Sequence, residues 1–137
     1  MGEYLDDWVA DNLDMHDQYG FQRATDKQDL ETLKKHYQFR LSMIAEEYDE
    51  LNKAKTAEDA VDAIIDLCVF AIGTLNLFGV DANAAWNEVH RANMSKGVGI
   101  KEGRPNPLGL PDLIKPPGWR GPDYSGIQLG KMPEIMG

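Results

Sequence analysis

Four carboxylates in this chain are spaced as a divalent-metal site requires. Glu47 and Glu50 are three residues apart, and Asp62 and Asp66 are four apart. On helices, each pair projects from a single face. The break at Lys55-Thr56 lies between the pairs, and two helices joined there run antiparallel, which brings both pairs to a similar depth below the turn. Four facing carboxylates repel one another in a partly dry groove. Divalent cations between them relieve that repulsion, and all-oxygen ligands suit Mg²⁺ or Mn²⁺. Bound metals invert the local charge and leave coordination sites for phosphate oxygens. Hydrolysis of a phosphate ester or phosphoanhydride is the chemistry such a group supports.

Glu46, Asp49 and Glu58 read as a solvated face. Asp66 reads differently, because it sits within Ile64-Ile65-Asp66-Leu67-Cys68-Val69, and a carboxylate buried there needs a metal or a cation. Other site classes fit poorly. A carboxylate-bridged di-iron bundle needs Glu-x-x-His on two helices, whereas Leu13, Leu33 and Asn87 stand three before the histidines. There is no phosphate-binding glycine loop, and Ser42, Ser95 and Ser125 lack the context of a nucleophile elbow.

The elements that must carry the acids are helices. A first is predicted from about Glu3 to Tyr19, with a stripe of Leu5, Trp8, Val9, Asn12, Leu13 and His16 and a stop at Gly20. A second opens on Thr25 and Gln28, read as a capping box. It continues along Leu30, Leu33, Tyr37, Leu41, Ile44, Tyr48 and Leu51. A third, Ala57 to Leu77, is capped by Thr56 with Asp59. It is apolar almost all round, which places it centrally in a bundle or at a subunit interface. A fourth runs from Asn83 to Lys96 with Gly97 as its stop. The fold class expected is all-α: an antiparallel four-helix bundle, oligomeric, with a C-terminal extension.

Composition divides the chain in two. The net charge is −9, yet residues 97–137 carry five bases and four acids, all seven prolines and nine of the thirteen glycines. Residues 1–96 are therefore read as an acidic, proline-free catalytic body. Residues 97–137 are read as an irregular tail that wraps the bundle or a partner subunit, with its last dozen residues loose. A pI near 4.7 argues against nucleic acid as a partner. The single cysteine, Cys68, fits a reducing compartment. The opening Met-Gly-Glu-Tyr-Leu-Asp-Asp lacks the pattern of a signal peptide. The longest apolar stretch is broken by Asp66 and Asn76, so no membrane span is expected. The location expected is cytoplasmic.

The segment Glu46-Glu47-Tyr48-Asp49-Glu50-Leu51, followed by Asp62-Ala63-Ile64-Ile65-Asp66-Leu67, resembles the all-α nucleotide pyrophosphohydrolases. These include MazG, the dimeric dUTPases and phosphoribosyl-ATP pyrophosphohydrolase. Their motif is Glu-x-x-Glu, a spacer, then Glu-x-x-Asp, all binding Mg²⁺. Glu47, Glu50 and Asp66 match three positions. At the fourth stands Ala63, with Asp62 one residue earlier as the replacement. Glu88-Val89-His90-Arg91-Ala92-Asn93-Met94-Ser95-Lys96 and Lys115-Pro116-Pro117-Gly118-Trp119 look like the closing helix and tail of phage-encoded members.

The resemblance implies hydrolysis of a (d)NTP to (d)NMP and pyrophosphate. Cyanophage members of the MazZ type act on (d)GTP, and that substrate is favoured here, in the cytoplasm of a host cell if the chain is phage-encoded. Glu47, Glu50 and Asp66 take the catalytic positions and, with Asp62, the metal positions, with Glu47 also orienting the attacking water. Asn93 and Lys96, three apart on the last helix, reach the polyphosphate. For Lys96 the competing role is a cation at a helix C-terminus. Arg91 and Arg40 are weaker phosphate candidates, since such residues are more often surface charges. Trp8, Asn12 and His16 share a helix face and line a base pocket, or else pack and cap. The partners expected are a small nucleotide and further copies of the chain, as a homodimer or homotetramer. The alternatives are a phosphoribosyl-ATP pyrophosphohydrolase or dUTPase-like enzyme and, in another class, a non-catalytic helical interaction module.

Overall fold

The computed structural model describes residues 7–137. The expected first turn, with Leu5, lies outside the described residues. Helices dominate: α1 (Trp8–Gln18), α2 (Phe21–Asp26), α3 (Leu30–Lys53), α4 (Ala57–Leu77), α5 (Ala82–Met94) and α6 (Met132–Met136). Two short strands, β1 (Gly97–Gly99) and β2 (Asp112–Ile114), complete the described elements. The all-α expectation holds, and the four longest helices are those read from the sequence. By compactness the chain forms two units. The residues up to Ala82 and Gln128–Gly137 make one, and Asn83–Ile127 the other.

In the first unit, α3 and α4 form a long antiparallel hairpin, and α1 packs along α4. Local chemistry sets the boundaries. Asp7 Oδ1 accepts from the backbone N–H groups of Val9 and Ala10 at the start of α1. Gly20 takes φ 72 between α1 and α2, a left-handed conformation that glycine adopts without strain. Thr56 Oγ1 accepts from Asp59 N at 3.1 Å, so the cap read for α4 is present.

The cap read for the second helix is not. Thr25 lies in α2 and donates to Phe21 O, and Gln28 Oε1 pairs with His36 Nδ1. The N-cap of α3 is Asp29, whose Oδ1 accepts from Thr32 N at 2.8 Å. Aspartate at this position serves as well as threonine, and the extra turn of α2 displaces the cap four residues onward.

The core centres on Phe78, fully buried against Leu33 and Ile135. Ile135 belongs to α6, so the expectation of a loose C-terminus is overturned. Lys131 N donates to Phe78 O at 2.7 Å, Gln128 Nε2 to Gly79 O at 3.0 Å, and Asp81 N to Gln128 O at 2.9 Å. Gly130 makes the close approach possible, since a Cβ there overlaps the Phe78 carbonyl oxygen.

The buried line of α3 is Leu33, Arg40 and Glu47, at seven-residue intervals. The apolar residues Leu41 and Tyr48, one position further on, face solvent. On α4, Val61, Ile64 and Ile65 are 59%, 48% and 43% exposed. By length and hydropathy α4 passes for a membrane span. It carries Asp62 and Asp66, however, and packs along both α3 and α1, as a bundle helix does.

In the second unit β1 and β2 pair antiparallel, with Val98 opposite Leu113. Trp119 Nε1 donates to Ala92 O at 3.1 Å and to Ser95 Oγ at 2.9 Å, pinning the Pro/Gly-rich segment to the end of α5.

Candidate active site

The α3–α4 hairpin carries Glu47, Glu50, Asp62 and Asp66 in one electrostatic group. Glu47 is the buried member at 9% exposure, and its Oε2 has no hydrogen-bond partner. Its pKa is raised, first by burial and then by the charge and hydrogen bonding of Glu50 and the charge of Asp66. The Asp66 pKa is raised by burial, then by Asp62 and Glu50. Each acid pair thus feels the other across the hairpin.

Asp66 is half-buried, not enclosed as its apolar neighbours in sequence suggested. The reason is that Ile64 and Ile65 themselves face outward. Glu50 and Asp62 are exposed.

Among the described residues no three His, Cys, Asp or Glu side chains converge into a ready-formed cage. The residues nevertheless fit a hard divalent cation. The donors are all carboxylate oxygens, and one of them, Glu47 Oε2, is buried without a proton donor. A buried acceptor in that state is costly unless a cation or proton satisfies it.

Arg40 is 8% exposed, not a surface charge. Its Nε donates to Thr74 Oγ1 and its Nη2 to Phe70 O, both at 3.0 Å. Burial lowers its pKa. His16 is 2% exposed, and its Nδ1 lacks a partner. Burial, and then the Arg40 charge, lower its pKa. Both groups reach α4 at Gly73, where a Cβ would stand 2.7 Å from Arg40 Nη2 and 3.1 Å from His16 Nε2.

Asn12 is buried, and its Nδ2 bonds Trp8 O at 2.9 Å. Trp8 is 54% exposed. These two line a cavity of about 190 Å³ between α1 and α4, whereas His16 lines a separate one of about 500 Å³. Sequence reasoning passed over Gly73, Thr74 and His36.

The remaining candidates belong to the second unit. Asn93 is exposed near the end of α5. Lys96 Nζ lies 5.3 Å from the Trp119 ring centroid, as does Lys115 Nζ. Arg91 pairs with Glu88 at 2.7 Å and donates to Gly121 O.

The sequence model for phosphoribosyl-ATP pyrophosphohydrolase matches residues 19–93, more than half of the chain. The chain belongs to that family. It is accordingly a nucleotide pyrophosphohydrolase, a hydrolase of nucleotide anhydride bonds. The family match spans all four acids together with Arg40, Arg91 and Asn93, and leaves Asn12, His16, Lys96 and the tail outside it. A search of curated proteins finds no match.

Proposed function

We propose that this pyrophosphohydrolase cleaves a (d)NTP, (d)GTP by preference, to (d)NMP and pyrophosphate with Mg²⁺ or Mn²⁺. The observation that carries the metal dependence is Glu47, buried and unpaired at Oε2 among three further acids. Glu47, Glu50, Asp62 and Asp66 would hold the metal, and when bound it supplies charge neutralisation at the phosphates. Glu47 Oε2, buried and without a hydrogen-bond partner, orients the attacking water and accepts its proton. Burial of that carboxylate keeps bulk water from competing for it.

In the second unit we assign Asn93 and Lys96 to phosphate contact. Arg91, already paired with Glu88, is the weaker candidate. The exposed apolar face of Val61, Ile64 and Ile65 supports a homodimer or homotetramer in which a second copy covers it. A phage nucleotide-pool role in the host cytoplasm rests on the resemblance of Glu88 to Lys96 and of Lys115 to Trp119.

The family match favours a second reading, phosphoribosyl-ATP as substrate. A panel of (d)NTPs and phosphoribosyl-ATP, each incubated with Mg²⁺ or Mn²⁺, separates the two. The proposal expects (d)GTP to have the highest kcat/KM. Turnover of phosphoribosyl-ATP alone would replace it with the second reading.

A further inference from the structure

The cavity of about 500 Å³ in the first unit lies between α1 and α2 on one side and the α3–α4 hairpin on the other. His16 of α1, Phe21 of α2, His36, Phe39 and Arg40 of α3 and Phe70 of α4 line it. Its wall is aromatic and apolar with a few polar groups, as small-molecule sites are.

Two of those polar groups keep hydrogen-bonding capacity, and one of them, His16 Nδ1, is buried without a partner. A guanidinium has five N–H donors, and Arg40 uses Nε on Thr74 and Nη2 on Phe70. Among the described residues neither a carboxylate nor any other acceptor meets Nη1. His16 Nδ1 is buried without a partner in the same wall. Gly73 provides the notch that both side chains occupy. A ligand offering acceptors at this point meets the open guanidinium donors of Arg40 and reaches His16 Nδ1, which is costly to leave unpaired.

Position identifies which part of a nucleotide it would be. Arg40 precedes Glu47 by seven residues on the same stripe, a rise of about 10 Å. Met43, between them, lines the cavity. On α4, Phe70 lies one turn beyond Asp66. The cavity therefore begins about one helical turn from the acids on both helices, as the base of a nucleotide stands beyond its phosphates.

We propose that this cavity holds the nucleobase and that Arg40 is the residue that selects it, favouring a base with two acceptors on one edge. The inference rests on the nucleotide reading above. The edge is O6 and N7 of a 6-oxopurine. Arginine only donates, and it meets guanine at both atoms, whereas adenine places its N6 amino donor where O6 would be. The exposed ring of Phe39 supplies a stacking surface.

The test is calorimetric binding of nucleoside monophosphates to the full-length protein, which needs no turnover. GMP and IMP, which share O6 and N7, should bind between about 5- and 150-fold more tightly than AMP. 7-Deaza-GMP should lose part of that advantage. Arg40→Met should bring GMP and AMP to similar affinity, with its fold checked by thermal melting. If that variant does not fold, the analogue series on the wild-type protein still decides. Equal binding of GMP, IMP and AMP overturns the proposal. So does displacement of GMP by inorganic phosphate with no binding of guanosine, which makes Arg40 an anion site. Selective guanosine binding without (d)NTP hydrolysis leaves the pocket standing and removes the hydrolysis reading. Hydrolysis that Arg40→Met weakens equally for every base does the reverse.

Discussion

Gly73→Ala separates two opposing effects at the point where Arg40 and His16 meet α4. In a helix interior alanine is favoured over glycine by about 1 kcal/mol. The new Cβ, however, would stand 2.7 Å from Arg40 Nη2 and 3.1 to 3.2 Å from His16 Nε2 and Cε1. Both neighbours are held, His16 by burial and Arg40 by its bonds to Thr74 and Phe70. Overpacking of this kind costs about 1–3 kcal/mol. If the guanidinium swings away, one hydrogen bond to a charged group is also lost, about 1.5–3 kcal/mol. Set against the propensity gain, the clash alone leaves a net cost of about 0–2 kcal/mol, and loss of the hydrogen bond as well raises it to about 1.5–5 kcal/mol, so a net destabilisation is expected. Urea denaturation measures it, with an unchanged slope confirming the same unfolding transition. KM for (d)GTP should rise as Arg40 is displaced. A variant more stable than wild type by about the full propensity difference, with KM unchanged, would refute the claim that Gly73 seats these two side chains.

The metal reading predicts that saturating Mg²⁺ or Mn²⁺ raises wild-type stability, by about 2.7 kcal/mol at a hundredfold excess over Kd. Glu47→Gln and Asp66→Asn should each abolish that gain, as read from melting curves with and without the ion, and an undiminished gain would place the ions elsewhere. His16 and His36 have pKa values lowered from the ordinary 6.5, by burial first and by Arg40 second. Their contribution to stability is complete above 6.5 and is lost as pH falls through the lowered folded values. Melting curves between about pH 7 and pH 5 should thus fall more steeply for wild type than for a His16→Asn/His36→Gln double variant. Ile135 is 7% exposed against Leu33 and Phe78. Ile135→Ala should cost about 2–5 kcal/mol in chemical denaturation, and a change within error would mean that α6 is not docked.

Hydropathy and spacing made the helices legible, and the acids with them, because Glu47/Glu50 and Asp62/Asp66 follow helical periodicity directly. The same method placed the stripe of α3 only in part: Leu33 is buried and Tyr37, Ile44 and Leu51 are half-buried, but Leu30, Leu41 and Tyr48 face solvent. Leu41 and Tyr48 look like core residues, whereas Arg40 and Glu47 occupy the seam. Burial of Arg40 depends on Gly73 and Thr74 some thirty residues away, a tertiary relation that no local pattern encodes. Asp66 erred in the opposite direction. Its apolar neighbours implied enclosure, yet Ile64 and Ile65 face outward and Leu67, Cys68 and Val69 are only half-buried. The C-terminal residues were read as loose from their glycine and proline content. Three backbone and side-chain bonds near Phe78 and the burial of Ile135 anchor them instead. The capping of α3 was misread because Thr25 and Asp29 are both good cap residues, and only the presence of α2 decides between them.

The central claim is that water cleaves the α–β anhydride of a (d)NTP with the acids of the α3–α4 hairpin in charge of the metal. Phosphorus NMR of (d)GTP incubated with the wild-type protein and Mg²⁺ or Mn²⁺ tests it most directly, with Glu47→Gln as the paired sample. The account predicts (d)GMP and pyrophosphate in equal amounts from wild type and intact triphosphate from the variant. Orthophosphate in place of pyrophosphate, or undiminished turnover by Glu47→Gln, would contradict it.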